Sequence, residues 1–439
     1  MVKKCLKIFS ICAFSNPIFT AALVCAFLFY SSSVKIKPRD DFFCLFYNQD
    51  IKILNGQIKS NPVKSSSQKS CYTADFLVNE AISFSGSKTS CRGKVKIFIP
   101  QALVESCYPG KLYTASLKNL KKLEQNSLLF ENGNNFSLKV KYLSFSNDEI
   151  LLFYVENADA LGFSAGLFGK IQKIRALSRL KFKRLMYGWN DAGSLLLALL
   201  SGSKEYTQDY IQEAFKNAGL SHILALSGMH LSLFGGLAFF FGNKIIKKSF
   251  ADFFQFAAIL FFVWFSGVSP SLFRALLACA ISFLNSLLRM KKFKGLTILS
   301  MSFLIHLIIF PNHLWSLAFM LSYGAIFGIM TLGQFIKIIL GKTFFPRFAS
   351  KISESLGAQI FTAPVTLCVF KKFAPIGIIS CLFVSPLITF FLYLGLLSTI
   401  ICLVLPFLSK PFSVIMSCIF KIVSDLVLYF AKFPSIELN

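Results

Sequence analysis

"AGLSHILALSGMHLSLFGGL", residues 218–237, reads as a membrane-spanning helix that carries too much polarity for lipid. It holds His222 and His230, Ser221, Ser227 and Ser232, and several glycines. Three uses compete for these residues. They form a face for close helix packing, the wall of a polar path, or a serine–histidine catalytic pair.

On a continuous helix, Ser221, Ala225, Gly228, Ser232 and Gly235 fall within about 80° of one another. Such a stripe of small residues lets a second membrane helix approach closely. The histidines lie on a neighbouring face, about 80° apart, where a polar path would run. On the same helix Ser227 projects about 60° from His230 and about 140° from His222, and a histidine from another helix could also serve as its base. There is no GxSxG elbow, the strained turn that exposes a hydrolase serine. A metal centre needs more ligands than four scattered histidines without HExxH or HxH supply, so neither metal nor cofactor is expected.

Composition agrees with a membrane chain. Hydrophobic residues make up 55% of 439, and the mean hydropathy is +0.62, whereas soluble domains sit at about 45–50% apolar. Lys and Arg number 46 against 20 Asp and Glu, a formal charge of +26. Cytoplasmic loops absorb part of that excess; the remainder points to anionic lipid or nucleic acid as a partner. Cys44, Cys71, Cys91 and Cys107 share one polar region, where one or two disulfides would form if it lies outside the cytoplasm.

Lys3, Lys4 and Lys7 precede an apolar run at 8–30, which predicts an uncleaved anchor within residues 1–34 with its start in the cytoplasm. Residues 35–160 alternate in "DIKILNGQIKS", "RGKVKIFIP" and "NFSLKVKYLSF", predicting a small antiparallel β domain closed as a barrel, outside the membrane. Residues 161–190 form a basic amphipathic helix, with Lys170, Lys173, Arg179 and Lys183 facing either a membrane surface or nucleic acid. From 191 to 439 the chain reads as polytopic, with strong spans at 220–243, 271–288, 314–336 and 412–430 and shorter ones at 253–267 and 295–311. The clusters "NKIIKK" (243–248) and "RMKKFK" (289–294) read as cytoplasmic, so 253–288 is a hairpin turning outside. Segment 354–370, with Gln359 and Pro364, predicts a broken or re-entrant element, and Pro386 interrupts 374–406 likewise. In the hairpin Arg274 follows Pro270, with Asn285 on a broadly similar face. It either snorkels to the interface or serves as a cation able to hold phosphate.

At these residues the sequence resembles the ComEC competence-channel family. The likeness rests on "LLLALLSGSKEYTQDYIQEAFKNAGLSHILALSGMHLSLFGGL" (195–237), "FSGVSPSLFRALL" (265–277), "LAFMLSYGAIFGI" (317–329) and "LGAQIFTAPVTL" (356–367). "ILNGQIKSNP" (53–62) resembles the first strand of the family's external OB-like domain. The resemblance implies passage of single-stranded DNA across the cytoplasmic membrane during transformation. It also implies other competence-machinery proteins and a separate nuclease as partners, beside the lipid bilayer. The sequence departs from the family at Ser203–Lys204, where Asp-Arg is usual, and at Met320, where glutamine is common. No HxHxDH motif occurs, so the metallo-β-lactamase-like domain of many relatives is not expected.

The expectation is therefore a polytopic α-helical inner-membrane protein with an N-terminal extracytoplasmic OB-like β domain, not an enzyme. The path residues are His222, Ser227, Gly228, His230, Arg274, Asn285 and Gln359. A transporter of another polyanion or lipid-linked glycan, and an intramembrane serine hydrolase, are the alternatives.

Overall fold

The computed structural model describes residues 17–30, 42–65, 71–105, 129–145, 150–204, 206–245, 248–288, 293–341 and 346–437. The lysines that flank the anchor, Cys107 and the centres of both basic loops (246–247 and 289–292) lie outside them. Helix α1, Pro17–Tyr30, is the described part of the anchor.

The alternating segments fold as six strands: β1 Ile51–Ile58, β2 Val63–Lys64, β3 Cys71–Ser83, β4 Lys88–Pro100, β5 Asn134–Phe145 and β6 Leu151–Phe163. Their order is β1-β5-β6-β4-β3-β2, and β1 also pairs with β3, so the ladder returns to its first strand. Period-two alternation sends Leu54, Phe76, Val95, Ile97, Phe136, Leu138, Phe153 and Val155 into one core. Gly56 sits at a bulge where a Cβ would strike the Leu77 carbonyl, so β1 and β3 approach more closely than any side chain allows. One expectation needs correction: β4 and β6 run parallel, from Lys96↔Leu152 to Phe98↔Tyr154. The stretch between Pro100 and Leu151 is long enough for the crossover that a parallel pair requires. Of the four cysteines, Cys44 and Cys91 lie sulfur to sulfur at 2.8 Å. Burial, and then Cys44 itself, push the Cys91 thiol up to about 12.

A short helix, α2 (Gln101–Glu105), follows β4, and α3 (Leu167–Tyr187) leads from the sheet to the apolar half. Helix α4, Asn190–Ser201, is buried along its whole length from Ala192, as a helix apolar on every side must be. Next come α5 (Asp209–Asn217), α6 (Ser221–Leu224), α7 (Gly228–Ile245), α8 (Lys248–Ser266), α9 (Pro270–Leu287) and α10 (Gly295–Ile309). Helix α11 (Leu317–Gly328) passes through a π-turn into α12 (Gln334–Leu340), followed by α13 (Pro346–Phe370), α14 (Gly377–Val404) and α15 (Ser409–Ala431). Leu196 of α4 reaches α14 at Gly395, where a Cβ would lie 2.5 Å from its Cδ1.

Among the described residues, five helices are long and apolar enough to cross a membrane: Pro270–Leu287, Leu317–Leu340, Ala349–Phe370, Gly377–Val404 and Pro406–Ala431. Phe250–Ser266 and Gly295–Ile309 are shorter apolar helices. The expected breaks at Pro364 and Pro386 are absent, since both prolines sit inside continuous helices. Each removes one i→i−4 bond, a loss that membrane helices tolerate when neighbours cover the freed group. The real break lies elsewhere. The expected span 220–243 is split between α6 and α7.

Candidate functional site

The split has a local cause. Ala225 is extended (φ −87°, ψ 135°), and helix restarts at Gly228. Ser227 stands at the N-cap of α7, its Oγ accepting the Met229 N–H at 3.3 Å. Three residues on, His230 Nδ1 accepts the Ser227 backbone N–H at 3.2 Å. This is the reciprocal capping box, with an imidazole in the place usually held by Glu or Gln. Ser227 Oγ lies 3.2 Å from His230 Nδ1, a closeness that a spacing of three residues allows.

The small-residue stripe divides as well. Ser221 and Ala225 are exposed before the break. Ser232 is also exposed, and bonds the Gly228 carbonyl. Gly228 and Gly235 instead face the α8–α9 hairpin. A Cβ at Gly235 would lie 2.8 Å from Ile259 Cδ1, and one at Gly228 would lie 2.5 Å from Arg274 Nη2. Packing therefore accounts for Gly235. Gly228 makes room for a guanidinium.

Arg274 does not snorkel. Ser269 caps α9 by accepting the Leu272 N–H at 3.4 Å, and Pro270 fixes the first turn, so Arg274 arrives one turn inside the bundle, 5% exposed. Its Nε has no hydrogen-bond partner, and no carboxylate pairs with it among the described residues. Tyr323 and His306 are its electrostatic neighbours. His306 Nδ1 is 3.3 Å from the Tyr323 hydroxyl, and its Nε2 is 3.1 Å from His313 Nδ1. The rings of Phe273 and Phe319 stand edge-on to His306, each at 4.9 Å. Residues seven and seventeen positions apart on three elements meet here, and no local pattern announces it.

Ser227, Gly228, His230 and Arg274 thus come together. His222 and Gln359 group elsewhere, around the close approach of Gly219 to Gly377: Gln359 Nε2 lies 3.2 Å from a Cβ built at Gly377. His222 is exposed, 3.9 Å from Cys381 Sγ. Asn285 is buried further along α9, eleven residues past Arg274.

Chemically, the start of α7 is the positive end of that helix's dipole. A buried guanidinium stands beside it. With no carboxylate paired to Arg274 among the described residues, this arrangement suits an oxyanion, which would answer both positive ends.

The basic helix differs from expectation in its second half. Lys170 and Lys173 are exposed, but Arg179 and Lys183 are buried and belong to no surface. Arg179 Nε and Lys183 Nζ hold the Glu131 carboxylate at 3.0 and 3.4 Å. Arg179 Nη1 also donates to the carbonyls of Phe265 and Ser266, at 2.8 and 3.2 Å, at the end of α8. Burial alone would raise the Glu131 pKa, but Arg179, Lys183 and Arg175 outweigh it and hold the carboxyl below its ordinary range. This cluster joins the β domain to the helical domain.

A family model described as Competence protein matches residues 199–439, more than half of the chain. ComE operon protein 3 of Bacillus subtilis (strain 168) is 25% identical over 218 residues, covering 48% of this chain and 27% of that protein. An uncharacterized protein of Aquifex aeolicus (strain VF5) is 27% identical over 250 residues, 55% of each chain. The chain therefore spans between about a quarter and about half of the length of these relatives. No solved structure matches it. The matched region contains the α6–α7 break, Arg274 and the His306–Tyr323 pair, and by that match the chain belongs to the competence-protein family.

Proposed function

We propose that this protein passes single-stranded DNA across the cytoplasmic (inner) membrane, its phosphates stepping past the start of α7 and Arg274. The observation that carries the reading is the buried, unpaired guanidinium beside a helix that begins inside the apolar domain. Half-helices whose positive ends meet anionic cargo are how transporters hold charge at membrane depth. The β domain lies outside in this reading, as an OB-like barrel that presents the strand, and a separate nuclease and other competence proteins act with it. The returning β1–β3 pairing and the basic flanks of the spans support that arrangement. Another polyanion or a lipid-linked glycan would use the same charge.

The test is DNA uptake in a deletion strain complemented with Arg274→Leu, with protein abundance measured by quantitative blot. Uptake should fall about tenfold or more at normal abundance, the scale of one lost charged hydrogen bond. Arg274→Lys should be partly tolerated, since the charge survives and the planar fork does not. Full uptake by Arg274→Leu at normal abundance rules the path out.

One distance favours a second reading: Ser227 Oγ at 3.2 Å from His230 Nδ1 is within reach of a nucleophile–base pair. The same nitrogen already receives a backbone N–H, and the ring is buried, so capping is the role proposed here. Covalent labelling of Ser227 by a fluorophosphonate would instead make the protein an intramembrane hydrolase.

A further inference from the structure

The first two turns of α3 turn their apolar side chains outward. Leu167 is 81% exposed and Phe168 74%, and Ile171 and Ile174 are exposed beside them, with Lys170 and Lys173 between. At the next position stands Arg175, whose Nε and Nη2 are buried without a hydrogen-bond partner. Nη2 lies 3.1 Å, and Asn61 Nδ2 3.7 Å, from the point where a Cβ of Gly267 would be, so two donors converge over a bare glycine. Gly267 has φ +103°, in the turn that joins α8 to α9. Around this spot three cations, Arg175, Arg179 and Lys183, answer the single carboxylate of Glu131. Arg175 makes no ion pair among the described residues, at a buried junction where unpaired charge is costly.

We infer that Arg175 holds the phosphate of an anionic phospholipid, whose acyl chains lie along Leu167, Phe168, Ile171 and Ile174. Depth and chemistry favour lipid over a nucleic-acid strand. The turn holding Gly267 precedes the span Pro270–Leu287, which puts it at the level of headgroups. Four exposed apolar side chains beside the cation suit an acyl layer, with Lys170 and Lys173 at its rim. A phosphodiester offers two oxygens to the guanidinium fork and the amide of Asn61. The site is independent of the proposed DNA path.

The test uses the full-length protein in neutral detergent, with fluorescent phosphatidylglycerol and phosphatidylcholine as probes. Wild type should prefer phosphatidylglycerol by about tenfold, and Arg175→Gln should abolish that preference. Arg175→Lys should keep part of it. Leu167→Ser with Ile171→Ser changes only exposed positions, so it should weaken both lipids without disturbing the fold. Equal binding of the two lipids by wild type overturns the inference, as does an unchanged preference in Arg175→Gln. Displacement of phosphatidylglycerol from Arg175 by inorganic phosphate or a single-stranded oligonucleotide at equal concentration also overturns it, assigning the site to a free phosphate or a strand.

Discussion

Arg179 and Arg274 are buried almost equally, at 2% and 5% exposure, yet their surroundings differ in kind. Arg179 meets a carboxylate through Nε and two carbonyls through Nη1, so its charge and its donors are answered within the protein. Arg274 has Tyr323, His306 and the positive start of α7 for neighbours, and its Nε goes unused. A satisfied buried cation is a fastener. An unsatisfied one costs stability, a violation that proteins tolerate chiefly at functional or strained sites.

The largest expected effect lies at the fastener. Glu131→Gln leaves Arg175, Arg179 and Lys183 without their shared anion, a change that costs about 3–5 kcal/mol for a buried pair. A lowered melting temperature in detergent, with early proteolysis between the β domain and α3, checks this. The same carboxylate sets a pH dependence. Its pKa is held below the ordinary 4.5, so its contribution is complete above that value and is lost as pH falls through the lower folded one. Wild type should lose stability over that acid range, and Glu131→Gln should show a flatter curve there.

Arg274→Met breaks the comparison from the other side. Replacing an unpaired buried charge by an apolar side chain of similar length is neutral or stabilising. The melting temperature should stay level or rise, whereas Arg179→Met should lower it. If both arginines prove equally stabilising, the distinction between fastener and binding site collapses.

What the sequence revealed follows the same division. Period-two alternation in "RGKVKIFIP" and the long apolar runs near Phe391 report local burial, and the strands and helices stand where those patterns lie. The basic face of residues 167–187 was legible as charge, but its partner was not. Glu131 reaches Arg179 from 48 positions away, and only the folded sheet brings them together. The prolines misled in the opposite direction: Pro364 and Pro386 sit on exposed sides of continuous helices, each removing one backbone bond without ending its helix. The break near Ser227 did leave a trace, a serine followed three residues later by a polar side chain, which is the spacing of a capping box. Leucines, isoleucine and phenylalanine spread from Leu220 to Leu237 hid it by keeping the average hydropathy of a single span. Hydropathy reports depth, not where one helix ends and the next begins.

Ser227→Ala tests that trace, with the smallest expected effect. It removes the hydroxyl that accepts the Met229 N–H, and with it one half of the cap. Loss of an N-cap side chain costs about 1 kcal/mol. The His230 half persists, because its Nδ1 accepts a backbone N–H that alanine retains. The start of α7 should therefore stay in place, and with it the positive end that faces Arg274. Uptake should remain within about threefold of wild type, with a small drop in melting temperature. Ser227→Thr, which keeps the hydroxyl, should restore both. A complete loss of uptake in Ser227→Ala at normal abundance and melting temperature would mean that the hydroxyl acts on something other than the helix, and the nucleophile reading would take the site.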